Sequence, residues 1–276
     1  MTARQSIAAL LAVLAVLCAL VGGVSVYVRD QVVDRPAFVD RARDALDRDP
    51  VRQVIAEEIA ARVRERVPAG LLSSAQLDRA VDAAVSTRAF RRAFRRAAAD
   101  ANRVLFDRSG GAATLDLRDV APALDAIDPR LSQLLAADAS TRLLEIRSES
   151  LGVGSARIAD AAGTLAGVLP PLAAVALVLA LLIAVDRRRT LRVVAVATIA
   201  AGALLLLGLA LGRSIALDRV EPGGLLTAEQ AKQAAGAVWD VYTDDLRPWA
   251  LAAIGAGLAL TVVTLIPWGR GRRAPS

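Results

Sequence analysis

The chain has no histidine, and that absence removes more chemistry than any motif in it supplies. Without an imidazole there is no Ser-His-Asp triad, no His-ligated zinc or haem, and no histidine switch near neutral pH. There is one cysteine, Cys18, so an internal disulfide and a Cys-x-x-Cys redox or metal site are both excluded. Cys18 lies in an apolar run, where it reads as a small buried hydrophobe. A lipoprotein cleavage site wants a small residue just before the cysteine, and Leu17 stands there instead. Lysine is nearly missing too. Of the 34 basic residues only Lys232 is not arginine, a bias that suits a GC-rich coding sequence better than a mechanism. A Ser-Lys nucleophile would have to use Lys232 on an amphipathic helix, a poor setting for one.

Charge is absent from four long stretches: residues 6–28, 164–185, 193–212 and 249–267. A hydrocarbon core is crossed by a helix of roughly 20 apolar residues. In lipid the backbone must satisfy its own hydrogen bonds, so each stretch is expected to be a transmembrane helix. Between the second and third lies Asp186-Arg187-Arg188-Arg189-Thr190-Leu191-Arg192. Arginines in short loops stay cytoplasmic, so Arg187, Arg188, Arg189 and Arg192 set the topology. Residues 1–5 then form a cytoplasmic tail, 29–163 an extracytoplasmic helical domain, 186–192 a cytoplasmic basic turn, 213–248 an extracytoplasmic loop with an amphipathic helix, and 268–276 a cytoplasmic basic tail. Both termini are expected inside, in a multi-pass protein of the plasma membrane. The charges agree: inner segments carry net +7 and outer ones net −1 of the total +6. The basic excess therefore reflects orientation, and no nucleic-acid partner is expected. The first stretch is expected to be retained, with Arg4 inside and Tyr27 at the outer interface. Cleavage as a signal peptide is the alternative.

Residues 29–163 are long enough to bury a core. Pro36 and Asp49-Pro50 mark helix starts. Val51, Ile55, Ile59 and Val63 recur every four residues, with Val54 beside them, as one apolar stripe running toward Val67-Pro68. Ser73 with Gln76 resembles a capping box, followed by the stripe Leu77, Val81, Val85. At about 100° per residue, Phe90, Phe94, Ala97, Ala101 and Leu105 share one sector, and Arg88, Arg91, Arg92, Arg95, Arg96 and Arg103 oppose them. Ser109-Gly110-Gly111 breaks that helix. Residues 114–120 alternate like a short strand, and 141–149 can supply a second to pair with it. Pro122 and Pro129 segment a helical patch through Leu135, and Pro170-Pro171 should kink the second crossing. Beyond Arg213, the turn Glu221-Pro222-Gly223-Gly224 precedes a helix capped by Thr227 with Gln230. Trp239, Tyr242 and Trp249 sit where an interfacial aromatic belt belongs. The expected fold is an all-α membrane protein, four transmembrane helices plus a mainly helical extracytoplasmic domain, with room for one small two-stranded ribbon.

Catalytic, cofactor and metal residues are not identifiable. Gly152-x-Gly154-Ser155 lacks a preceding strand and a third glycine, so it is no nucleotide fingerprint. Asp116, Asp119, Asp125 and Asp128 do not match the EF-hand spacing and suit caps and turns. No ionisable residue lies within the four apolar stretches, which weighs against a coupled transporter. Gly163 and Gly167 form a GxxxG pair, with Gly202, Gly208, Gly255 and Gly257 as further small residues. Packing within one chain is the simpler use of these, and dimerisation the other. The arginine face, Arg88, Arg91, Arg92, Arg95 and Arg96, is the candidate anionic-surface site, either for headgroups or an acidic envelope polymer, or else a solvated face balanced by nearby acids.

Three stretches carry a resemblance: 86–94 (Ser-Thr-Arg-Ala-Phe-Arg-Arg-Ala-Phe), 186–191 (Asp-Arg-Arg-Arg-Thr-Leu), and Ala237-Val238-Trp239-Asp240 with Asp245-Leu246-Arg247. Through them most of the chain resembles a family of uncharacterised multi-pass membrane proteins of actinobacteria. The resemblance implies the same four-helix layout with an outer helical insertion, and no activity. The expected function is a non-enzymatic envelope protein whose outer domain binds a protein, anionic lipid or wall polymer. The alternative is a small-molecule transporter or pore component. The bilayer is the one certain partner, no cofactor is implied, and the oligomeric state stays open.

Overall fold

The computed structural model describes residues 3–64, 73–106, 112–116, 142–147, 154–220 and 227–266. The expected breaks at Ser109-Gly110-Gly111 and Glu221-Pro222-Gly223-Gly224 lie outside these residues, as do Val67-Pro68, Asp119, Asp125, Asp128, the Pro122-to-Leu135 patch, Gly152 and the basic tail. The elements in order are α1 (Ala3–Val28), a π-helical turn (Arg29–Val33), α2 (Arg35–Leu46), α3 (Asp49–Arg64), α4 (Ser74–Val85), α5 (Arg88–Phe106), β1 (Ala112–Asp116), β2 (Arg142–Arg147), α6 (Gly154–Ile183), α7 (Arg187–Asp218), α8 (Ala228–Thr243) and α9 (Leu246–Leu265). Four helices are long and apolar enough to cross a membrane: Arg4–Val33, Ala159–Ile183, Arg187–Asp218 and Leu246–Leu265. The chain divides into two compact units, Met1–Tyr27 with Ala162–Gly212 and Thr243–Ser276, and Val28–Ala161 with Arg213–Tyr242.

The first unit inverts the usual distribution of side chains. Most of its buried positions are small, among them Ala8, Ala12, Ala15 and Cys18 on α1, and Ala162, Ala166, Ala173, Ala176 and Ala180 on α6. Its large aliphatics point out, with Leu10 and Leu182 each 70% exposed. Apolar side chains gain nothing by turning inward when the solvent is itself apolar, and small residues let helix backbones approach. A Cβ at Gly22 would lie 3.0 Å from the Leu169 Cβ and 3.1 Å from the Pro170 Cδ, so α1 meets α6 where the proline ring sits. Pro170 and Pro171 lie inside α6, whose assigned helix continues through both. At one end of this unit Asp186 caps α7, accepting from the Arg189 backbone N–H at 3.2 Å, and its own N–H donates to the Gln5 Oε1 at 3.4 Å.

The second unit has a conventional core. Leu46, Ile59, Ala60, Val63, Leu77, Val81, Ala84, Val85 and Phe90 are buried together, with Ile55 and Phe94 packed against them. Val51 is buried, whereas Leu105 is only half-buried. Local signals place the helices. Asp34 accepts from the Ala37 N–H at 3.1 Å to start α2. Ser73 and Gln76 form the capping box of α4, and Thr227 with Gln230 form that of α8. The Thr87 hydroxyl accepts from the Phe90 N–H at 3.1 Å to open α5. β1 and β2 pair antiparallel, Ala112 opposite Arg147 and Leu115 opposite Leu144.

Candidate anion-binding face

The arginine helix begins with a tandem repeat, Arg-Ala-Phe-Arg at 88–91 and again at 92–95, followed by Arg96. A four-residue repeat nearly matches the 3.6-residue turn, so both phenylalanines fall on one side. Phe90 is fully buried, and the Phe94 ring stacks near it with centroids 6.3 Å apart. That burial turns the arginines outward. Arg88, Arg92, Arg95 and Arg96 are exposed, and Arg91 is half-buried.

Among the described residues, the acids on neighbouring helices neutralise little of this charge. Arg91 pairs with Asp47 at 3.4 Å, and Arg103 with Asp100 at 2.9 Å, within its own helix. Among the described residues no carboxylate forms an ion pair with Arg88, Arg92, Arg95 or Arg96. Of the five sequence-predicted residues, four thus share one open face and the fifth is held at its edge. From Arg88 to Arg96 the helix rises about 12 Å, at roughly 1.5 Å per residue. Between Arg88 and Ala99 this sector carries no apolar side chain larger than alanine.

The arginines expected to set the topology have separate fates. Arg187, Arg188 and Arg189 are exposed at the start of α7. Arg192 donates to the Thr264 carbonyl oxygen at 3.3 Å, so it caps the C-terminal turn of α9, where carbonyls lack helical partners.

A second arrangement escaped the sequence reading. Arg41 donates through Nη1 to the Val241 carbonyl oxygen at 2.6 Å, and through Nε and Nη2 to the Gln31 Oε1 at 3.0 Å each. The Tyr242 hydroxyl donates to the Phe38 carbonyl oxygen at 3.2 Å, and the two rings lie 5.7 Å apart. Burial pushes the Tyr242 phenol up to about 12, against the opposing pull of the Arg41 charge. Tyr242 thus packs against Phe38 within the polar unit. Trp249 is 73% exposed. Asn102 donates to the carbonyl oxygens of Val32 and Val33 at 3.2 and 3.3 Å, satisfying the π-helical turn. These pairings span up to 204 residues of sequence, and no local pattern announces them.

A groove of about 420 Å³ is lined by Ala56, Glu57, Ala60, Arg64 and Asp78. Arg64 and Asp78 pair at 2.6 Å, and the Gln230 amide donates to Glu57 at 2.9 Å, so its charged groups already answer one another. Among the described residues no three His, Cys, Asp or Glu side chains gather as a metal site. No family model, curated protein or solved structure matches this chain.

Proposed function

We propose that the chain is a non-enzymatic integral membrane protein of the cell envelope. In this reading both termini are cytoplasmic, and the polar helical unit, with its small ribbon, stands outside and binds an envelope partner. The likeness to the actinobacterial membrane proteins is consistent with that placement.

One observation carries the reading against a transporter or pore. Hydroxyls within the apolar helices bond to carbonyls of their own helices: Ser25 to Val21 at 2.8 Å, Thr198 to Val194 at 2.8 Å and Thr261 to Gly257 at 2.8 Å. A polar path needs side chains that face a shared cavity, and groups bonded along their own helix do not provide one. The polar unit, by contrast, gathers four exposed arginines, Arg88, Arg92, Arg95 and Arg96, on one helix face with no ion-pair partner among the described residues.

Reconstitution tests it. Sealed vesicles containing the protein should be no more permeable to small ions and sugars than protein-free vesicles. Native membranes should yield the protein with an envelope component that high salt removes. Permeability above the protein-free control would instead support the pore reading.

A further inference from the structure

The arginine face of α5 is assembled against local electrostatics. Like charges three and four residues apart on a helix repel, and Arg88, Arg92, Arg95 and Arg96 supply several such pairs without an intervening carboxylate partner among the described residues. Elsewhere in the same unit arginines do meet carboxylates, Arg62 with Glu58 at 3.0 Å and Arg64 with Asp78 at 2.6 Å. Other exposed arginines of the unit, Arg43, Arg48 and Arg79, also lack an ion pair among the described residues, but only Arg88, Arg92, Arg95 and Arg96 are gathered on one face of one helix.

We propose that this face binds a linear phosphate-bearing polyanion lying along the helix. The inference rests on the reading above and names the chemistry of its partner. Guanidinium forks match the oxygen geometry of phosphate, donating two parallel hydrogen bonds where an ammonium offers a point charge. Arg88, Arg92 and Arg96 stand about one turn apart, roughly 6 Å along the axis, with Arg95 beside them, so charges spaced along a chain can be met in series. A bilayer surface is the poorer occupant. Helices that settle into headgroups place Trp, Phe or Leu beside their basic residues, and here Phe90 and Phe94 turn into the core. Nothing on the open sector between Arg88 and Ala99 can insert among acyl chains. Exposed charges also make the contact dependent on salt, since binding releases counterions from the polymer.

The test uses the full chain in nanodiscs of zwitterionic lipid, with long-chain inorganic polyphosphate as probe. Wild type should bind, and binding should weaken steeply between low and physiological salt. Each single Arg→Gln change among Arg88, Arg92, Arg95 and Arg96 should weaken binding about fivefold, and all four together on the order of several hundredfold. Arg79→Gln, on α4, should change it less than about twofold. Melting temperatures should not fall below wild type, because the four side chains are exposed, and the quadruple change should raise them slightly by relieving the like-charge repulsion. Polyglutamate of matched length should bind at least about tenfold more weakly than polyphosphate. Equal binding of the two would overturn the phosphate assignment. Capture by anionic vesicles without polyphosphate binding would overturn it in favour of lipid. If polyphosphate fails while native membranes still yield a salt-removable partner, this inference falls and the broader reading stands. Permeable vesicles would remove the broader reading itself.

Discussion

Gly202 and Gly257 are reciprocal: each lets its helix approach the backbone of the other. A Cβ at Gly202 would lie 2.8 Å from the Ala250 carbonyl oxygen and 2.7 Å from the Ile254 Cγ1. A Cβ at Gly257 would lie 2.8 Å from the Ala195 carbonyl oxygen and 2.6 Å from the Ile199 Cγ1. The two helices carry the same pattern, Ala-x-Ala-x-Ile-x-Ala-Gly, at 195–202 and 250–257. Run antiparallel, each copy fills the hollow left by the other. Gly202→Ala or Gly257→Ala should therefore destabilise by about 1–3 kcal/mol, since backbone cannot yield as a side-chain tip can. Gly208 and Gly255 face open space, and alanine there should be neutral or slightly stabilising through helix propensity. Thermal melting of the purified protein separates the two pairs, and equal behaviour would discredit the close approach.

Phe90 anchors the polar unit. It is fully buried, so Phe90→Ala should cost about 3–5 kcal/mol. Phe94 is only partly buried and should cost less on truncation. Exposed Arg92→Ala should stay within about 0.5 kcal/mol. Denaturant unfolding followed by helical signal gives the order, and a larger loss at Arg92 would show the wrong face turned inward.

Tyr242 supplies a pH dependence with a defined sign. Its phenol rises from the ordinary 10.0 to about 12 through burial. Below pH 10 the phenol is neutral in folded and unfolded chains alike, and its packing contributes fully. Between about 10 and 12 the unfolded chain loses the proton first, so stability falls as pH rises. The chain has two tyrosines, so Tyr27→Phe leaves Tyr242 as the sole phenol to follow by ultraviolet titration. Its midpoint should lie well above 10, and Tyr242→Phe should remove this part of the alkaline loss. A midpoint near 10 would mean the ring is solvated.

Topology is testable because Cys18 is the one thiol to remove. In a Cys18→Ala background, cysteines at Ser109 and Gly223 should react with an impermeant reagent applied outside intact cells. A cysteine at Arg188 should react only after the membrane is opened. The reverse pattern would invert the proposed orientation.

What the sequence made legible was local. The uncharged stretches, the boxes at Ser73-Gln76 and Thr227-Gln230, and the sidedness of α5 all follow from residues within a turn or two of one another. Pairings across the chain were not legible. Arg41 capping the last turn of α8, Tyr242 against Phe38, and Asn102 holding the π-helical turn each join residues whose separation is set by the fold. The glycine pair was half visible. The repeated octapeptide can be read directly, but that its two copies face each other depends on an antiparallel register that only the packed helices reveal. For the arginine face, sequence supplied the side and the structure its pairing. The plentiful acids of that segment suggested neutralisation, yet only Arg91 meets one from another helix among the described residues.

The inverted burial of the four apolar helices has a consequence for how the chain tolerates substitution over time. In the polar unit, shrinking a buried side chain such as Val63 or Val81 is the harmful direction, because it leaves a void. Along α1, α6, α7 and α9 the harmful direction at buried sites is growth, because Ala8, Ala180, Ala195 and Ala250 are fully buried, and the Ala195 and Ala250 carbonyls lie against the facing helix. Leu, Val and Ile should interchange freely at the outward positions of those helices, while none of them should be accepted in place of the buried alanines or of Gly202 and Gly257. One chain is thus held to two opposite rules of residue size, and the boundary between the rules should be readable from the variants it survives.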